Sequence, residues 1–204
     1  NQEIYNYIRG MKNTIINSGK VKYKNEFPWE VKIIKDDKTL NAFCTPGGHI
    51  YVYTGLIKFL DSEDQLMGVM GHEIAHADGR HSTEQLTKQY GIAFIADALL
   101  GNKTALGQIA ETVVGGLAGL SFSRANESEA DSKSVEYLCG SSINAAGAAG
   151  FFKKMEGEKQ PPTCLSTHPA PANRIANIEK KARNLNCAGS LTNTSVYQKM
   201  KAKL

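Results

Sequence analysis

The chain has 204 residues, enough for one well-buried core and too few for two comfortable domains; 41% are hydrophobic and 22% charged, as in an ordinary soluble globular protein. The net charge of +4 comes from scattered lysines, with small clusters at Lys180-Lys181 and at Lys199, Lys201 and Lys203. No basic stretch is interleaved with aromatics, which argues against a nucleic-acid partner. The apolar runs Gly91 to Leu100 and Val113 to Leu120 fall far short of the roughly 20 residues a spanning helix needs, so peripheral or lipid-anchored association is the membrane contact left open. The first residue is Asn1 rather than methionine, which reads as a mature or trimmed product whose signal peptide or lipid anchor lies outside the sequence.

Residues 1–18 read as an amphipathic helix, with Ile4, Ile8, Met11 and Ile15 at helical spacing and Gly19 as its stop. Trp29 to Ile34, Asn41 to Thr45 and Ile50 to Thr54 alternate as short strands, with turns at Asp36-Asp37-Lys38 and Pro46-Gly47-Gly48. Residues 29–54 therefore predict a small antiparallel sheet of about three strands. A helix over 62–79 opens with Ser62 and Gln65 spaced as a capping box, and with Glu63 and Asp64 at the positive end of the helix dipole. Leu66, Met67, Val69, Met70, Ile74 and Ala75 surround that helix with apolar groups, the pattern of a buried one. Gly68 and Gly71 within it each cost about 1 kcal/mol relative to alanine, which predicts close approach of another backbone.

Residues 82–123 carry helical patterns broken by five glycines and read as a helical insertion, a candidate mobile segment. A second capped helix follows over 126–139, and a third runs from Ser142 to Met155 with Gly157 as its stop. A Pro-rich loop from Gln160 to Pro169 leads to a last helix starting near Pro171, so that loop and helix together span 160–185. From Cys187 onward the sequence is polar and predicts no element. The fold class is α+β, mainly helical.

The sharpest chemical signal is His72-Glu73-Ile74-Ala75-His76, an HExxH pattern. Two histidines four residues apart on a helix share a face and can hold one zinc ion without moving the backbone. Glu73 beside them is placed to act on water rather than on the metal. Zinc brings the pKa of a bound water toward about 7, and a carboxylate can take its proton as it attacks a carbonyl. An ordinary surface helix with the same three residues is the bland alternative, but burying them unpaired among Leu, Met, Val and Ile is costly.

A catalytic zinc usually has three protein ligands. The metzincin spacing HExxHxxGxxH fails, because Ser82 stands at its third ligand position and His81 comes one residue early. His81 is read as a solvated histidine just past the helix end. Glu127 and Asp131 share a face of the second capped helix. Glu127 suits the metal, and Asp131 suits a hydrogen bond to a ligand imidazole. A carboxylate-rich first turn favoured by the helix dipole accounts for them equally well. Cys44, Cys139, Cys164 and Cys187 lack CxxC spacing, which speaks against a four-cysteine zinc site. Two disulfides or buried free thiols both remain open, as do the three possible pairings.

HEIAH, followed about fifty residues later by Ser123-Arg124-Ala125-Asn126-Glu127-Ser128-Glu129-Ala130-Asp131, resembles the minigluzincin zinc metallopeptidases. These are the CAAX prenyl endopeptidase, HtpX and Oma type, and the pattern is most similar to the periplasmic BepA/LoiP-like proteases. The resemblance includes Asn41-Ala42-Phe43, Pro46-Gly47-Gly48, Tyr53-Thr54-Gly55-Leu56, Thr167-His168-Pro169 and Arg174-Ile175, and runs from about Trp29 to Arg183. It implies a zincin-like single peptidase domain over 1–204, with one zinc ion held by His72, His76 and Glu127. It implies Glu73 as general base, Asp131 behind a ligand, and Arg174 paired with Asp131 or Glu129. His168 is expected close to the zinc, either stabilising an oxyanion or filling the open metal position. The edge strand at Asn41, Ala42 and Phe43, with the Gly47-Gly48 turn, is expected to align an extended substrate by backbone pairing. Proximity in the relatives further implies the pairings Cys44–Cys164 and Cys139–Cys187.

HtpX and the CAAX enzyme carry several transmembrane helices and this chain shows none, so the resemblance points to the soluble or lipid-anchored periplasmic branch. The implied function is zinc-dependent endoproteolysis of unfolded, damaged or misassembled envelope proteins in quality control. The alternative is a non-catalytic chaperone or assembly factor with a structural or blocked zinc. Glu73 favours catalysis, since a structural site needs no general base. The natural substrate and the oligomeric state are not legible in the sequence.

Overall fold

The computed structural model describes residues 1–92, 121–157, 168–170 and 172–204. Most of the expected insertion at 82–123 lies outside the described residues, as does most of the Pro-rich loop at 160–169 with Cys164. Among the described residues the strands are β1 (Glu30–Ile34), β2 (Ala42–Thr45) and β3 (His49–Tyr53). The helices are α1 (Gln2–Ile16), α2 (Thr54–Phe59), α3 (Glu63–Asp78), α4 (His81–Tyr90), α5 (Arg124–Leu138), α6 (Gly147–Glu156), α7 (Arg174–Asn184) and α8 (Thr194–Lys201).

The sheet is mixed, not antiparallel throughout. Its order is β1-β3-β2, with β1 parallel to β3 and β2 antiparallel to it. The strand with two fully buried positions, Ile50 and Val52, takes the centre. Chain crossing at the end of β3 makes this order possible. The Thr54 hydroxyl donates to Asp37 Oδ1 at 2.6 Å and accepts from the Asp36 N–H, which binds the loop after β1 across the start of α2. Gly55 permits the crossing, because a Cβ there would lie 2.5 Å from the Thr39 carbonyl oxygen.

α1 buries Ile4, Ile8, Met11 and Ile15 as its periodicity predicts. α3 is the central helix, and every residue from Leu66 to Asp78 is buried. Its expected capping box does not form. Gln65 Oε1 accepts from the Asp61 N–H at 2.9 Å, and the Ser62 hydroxyl donates to Asp64 Oδ1 instead of capping the helix. Asp64 in turn accepts from Asn144 Nδ2 at 2.7 Å, which anchors the segment ahead of α6. The two helix glycines do admit neighbours at close range. A Cβ at Gly68 would sit 2.3 Å from the Ala148 nitrogen, and one at Gly71 would sit 2.7 Å from Ser134 Oγ. The Ser134 hydroxyl also donates to the Gly68 carbonyl at 2.7 Å, so α3 and α5 nearly touch.

α6 begins five residues later than its composition suggests, because Ile143 and Asn144 are engaged elsewhere. Ile143 bridges Leu191 in parallel, and the Leu191 carbonyl accepts from the Asn144 N–H at 3.0 Å. The polar C-terminal stretch is therefore woven into the fold. α8 buries Tyr197, whose hydroxyl donates to the Ile57 carbonyl at 2.8 Å.

Cys139 and Cys187 form a disulfide that joins the end of α5 to the chain after α7. Cys44 is a free, buried thiol, and Cys164, its expected partner, lies outside the described residues. Burial in the core beside β3 pushes the Cys44 thiol well above its ordinary pKa, and the Glu73 charge adds to this. No helix among the described residues is long and apolar enough to cross a membrane.

Gly68→Ala tests the helix contact. Its higher helix propensity favours the variant, but the clash with Ala148 is expected to win and lower unfolding stability by about 1–3 kcal/mol. Urea denaturation checks this, and a gain in stability would contradict the contact.

Candidate metal centre

α3 carries His72, Glu73 and His76, and α5 carries Glu127 and, one turn later, Asp131. His168 and Arg174, the first residue of α7, come from the third side. All seven residues expected around a metal converge in one buried cluster. The missing side chain of Gly71 lets α5 lie close enough to α3 for this, while that of Gly68 admits α6.

His72 Nδ1 lies 2.8 Å from Asp131 Oδ1, and His76 Nδ1 lies 3.1 Å from His81 Nδ1. The two Nε2 atoms face each other 3.0 Å apart, and both are acceptors when the Nδ1 atoms carry the protons. Two lone pairs at that distance repel unless a proton or a metal cation lies between them. Glu127 places Oε2 3.3 Å from His72 Nε2 and Oε1 3.3 Å from His76 Nε2. His168 Nδ1 is 2.9 Å from Glu127 Oε1 and 3.3 Å from His72 Nε2.

Each of His72, His76, Glu127 and His168 thus offers one donor atom, and the four atoms lie within 4.8 Å of one another. A tetrahedral zinc site with bonds of about 2.0–2.1 Å has edges of about 3.3 Å, close to these spacings. The donor set therefore fits a zinc ion. His168 Nε2, buried with no hydrogen-bond partner, lies 3.7 Å from Glu73 Oε1.

Arg174 neutralises part of the buried negative charge. Its Nε donates to Asp131 Oδ2 at 2.7 Å, and its Nη2 donates to Asp131 Oδ1 at 2.8 Å and to Glu127 Oε2 at 3.1 Å. The guanidinium also lies 3.8 Å from the centre of the Phe152 ring. Burial pushes the His72 pKa down, but Glu127 and Asp131 outweigh it and raise it to about 9. Burial likewise pushes Glu127 up, and the imidazoles of His72, His168 and His76 bring it well below the usual carboxylate range. For Glu73 burial prevails over the neighbouring histidines and raises the pKa, which suits a group that accepts and returns a proton.

A small cavity of about 20 Å³ opens beside Glu73 and His168, walled by Leu56, Val69, Phe151 and Phe152. Asn41 and Ala42 line it, and Asn41 Oδ1 is buried without a partner. Phe43, Gly47 and Gly48 do not. Phe43 stacks on Tyr51, and the two glycines form the β2–β3 turn at positive φ. The edge itself is covered: Asn41 to Cys44 are all buried, and the Cys44 carbonyl accepts from the Ser82 hydroxyl at 3.2 Å.

His81 is a correction. It is buried against His76 rather than solvated, and burial lowers its pKa. Phe122, which carried no sequence signal, stacks on His76 with ring centres 3.9 Å apart. The Gly79-Arg80-His81 turn was the available clue to His81.

Peptidase family M48 matches residues 6–182. The chain belongs to this family. Relatives of the M48 chain include the beta-barrel assembly-enhancing protease of Escherichia coli K12, 28% identical over 172 residues, covering 78% of this chain and 35% of the relative. A Vibrio cholerae protein bearing the same descriptive name is 32% identical over 161 residues, covering 72% of this chain and 33% of that one. The mitochondrial metalloendopeptidase OMA1 of Schizosaccharomyces pombe is 31% identical over 160 residues, covering 76% and 47% respectively. The chain thus spans between one third and one half of the length of these relatives.

Removing Arg174 isolates two buried carboxylates. Arg174→Met is expected to destabilise the chelator-treated protein by about 3–5 kcal/mol. Urea denaturation checks this; a loss within the error of the method would show that Arg174 does not compensate them.

Proposed function

We propose that this M48 chain is a zinc-dependent metalloendopeptidase that cleaves unfolded, damaged or misassembled proteins of the cell envelope. One observation carries the reading: a buried carboxylate, Glu73, stands next to a four-donor cluster on the wall of a cavity. His72, His76 and Glu127 are the residues that hold the ion. When bound, zinc supplies Lewis acidity toward a water molecule and a substrate carbonyl.

The remaining work falls to side chains. Glu73 takes a proton from the attacking water and returns it to the departing amine nitrogen. Asp131 accepts from His72 Nδ1, which fixes that ring's tautomer and orientation, and Arg174 holds both Asp131 and Glu127 in place. A substrate backbone pairs along β2 from Asn41, and an apolar side chain enters the cavity between Leu56, Val69 and Phe151.

His168 is read as the fourth donor of a resting state, since its Nδ1 already lies among the other three donor atoms. A closed four-donor set is the form a structural site takes, and a catalytic one keeps a position open. The buried β2 edge agrees with a resting form, because substrate pairing there requires its cover to move. The same closure favours the second reading, a chaperone or assembly factor with a permanently blocked zinc.

An envelope location is supported by the Cys139–Cys187 disulfide, which belongs in an oxidising compartment. The names of the bacterial relatives support a role connected with beta-barrel assembly.

The test compares cleavage of casein or an unfolded protein by wild type, Glu73→Gln and chelator-treated protein. Glu73→Gln is expected to lose at least about 100-fold in rate while retaining zinc, and chelation to abolish cleavage. Undiminished cleavage by Glu73→Gln overturns the mechanism. Aggregation suppressed without cleavage, equally in both proteins, favours the chaperone.

His168→Ala is expected to speed cleavage with zinc content maintained, as measured by metal analysis alongside turnover. Collapse of the zinc content would make His168 an indispensable ligand instead.

A further inference from the structure

His76 is held differently from its partner ligand. His72 has a carboxylate behind it, whereas the group behind His76 is another imidazole. His76 Nδ1 and His81 Nδ1 are 3.1 Å apart, with the rings edge to face at 74°. The turn that brings His81 back is specialised at each residue. Gly79 ends α3, and a Cβ there would lie 2.8 Å from His81 Nε2, so only a missing side chain leaves the ring its place. Arg80 adopts the left-handed conformation at φ 59°, reversing the chain so that α4 starts at His81. His81 is then buried within the protein, although it begins a helix whose next turns are partly exposed.

We infer that His81 is a positioning residue for the metal centre: its Nδ1 accepts the Nδ1–H of His76 and so fixes that imidazole with Nε2 facing the other ligands. The tautomers follow from the network. An imidazole whose Nε2 faces a cation carries its proton on Nδ1, and that proton needs an acceptor when buried. His81 Nδ1 is the atom in reach. Its own proton then sits on Nε2, which faces Glu129 Oε2 at 3.6 Å. Phe122 stacked on the His76 face blocks rotation out of this plane. The arrangement mirrors Asp131 behind His72, with a neutral acceptor in place of a charged one. Partners of this kind typically change metal affinity by about 10–100-fold.

The inference rests on the reading of His76 as a zinc ligand, and the experiment separates the two. Zinc affinity is measured by competition with a chelator for wild type, His81→Leu, His81→Asn and His81→Gln. The visible spectrum of each cobalt-substituted protein and the melting temperature of each metal-free protein are recorded beside it. Asparagine places its oxygen near the position of Nδ1, whereas glutamine places its polar group near Nε2.

His81→Leu is expected to lose about 10–100-fold in zinc affinity with an altered cobalt spectrum and a metal-free melting temperature close to wild type. His81→Asn is expected to recover most of that affinity, and His81→Gln to recover little. Should His81→Leu not fold, the asparagine and glutamine pair decides alone. Zinc affinity within about twofold of wild type in His81→Leu, or equal in the asparagine and glutamine variants, overturns the inference and leaves the zinc site standing. A wild-type chain that takes up no zinc overturns both.

Discussion

Two imidazole nitrogens facing each other 3.0 Å apart inside a buried helix are the constraint on which this structure turns. That arrangement requires a proton or a metal cation between the two rings, and much of the surrounding fold can be read as the means of enforcing it. Asp131 and His81 occupy the outer nitrogens, so neither ring can turn over to relieve the contact without losing a hydrogen bond. Glu127 adds negative charge where the two nitrogens meet, and Arg174 keeps that carboxylate and Asp131 from repelling one another. The two histidine rings of α3 are preorganised by hydrogen bonds at the nitrogens that face away from the centre of the cluster.

Packing supplies what hydrogen bonding cannot. The approach of α5 to α3 depends on the absent side chain of Gly71 and on the Ser134 hydroxyl reaching the Gly68 carbonyl, and the absent side chain of Gly68 admits α6. An alanine at Gly71 would push α5 away or displace Ser134, moving Glu127 and Asp131 with it, and one at Gly68 would press on α6. Helix propensity at these positions is therefore sacrificed to geometry at the cluster one turn away. The disulfide at the C-terminal end of α5 restrains the same helix from its other end.

The cavity beside Glu73 and the buried edge of β2 describe a site that is assembled but closed. His168 lies among the donors, and Asn41 to Cys44 have no exposed edge to offer an extended chain. Closure of this kind keeps the buried Glu73 carboxylate from contact with an extended chain. It also makes access, rather than chemistry, the property on which control of this M48 chain would act.

Much of the centre was legible in the residues because its parts are local. The four-residue spacing of His72 and His76 follows from the helix period, as does that of Glu127 and Asp131, and the all-round apolar pattern marks α3 as buried. The buried face of α1 and the close approach at Gly68 follow from periodicity and from the cost of glycine in a helix. The sheet order was not legible, since alternation identifies strands but not neighbours; β3 became central through the crossing at Thr54 and Gly55. The inward turn of His81, the stacking of Phe122, the free thiol of Cys44 and the C-terminal anchoring by Tyr197 were decided by tertiary structure alone. Each depends on which surface a distant segment presents. The sequence by itself determined which donor groups share a helix face, because the backbone period dictates that. Only the folded chain decided which groups stand behind and across from them, because those contacts bridge elements whose relative placement is a property of the whole core.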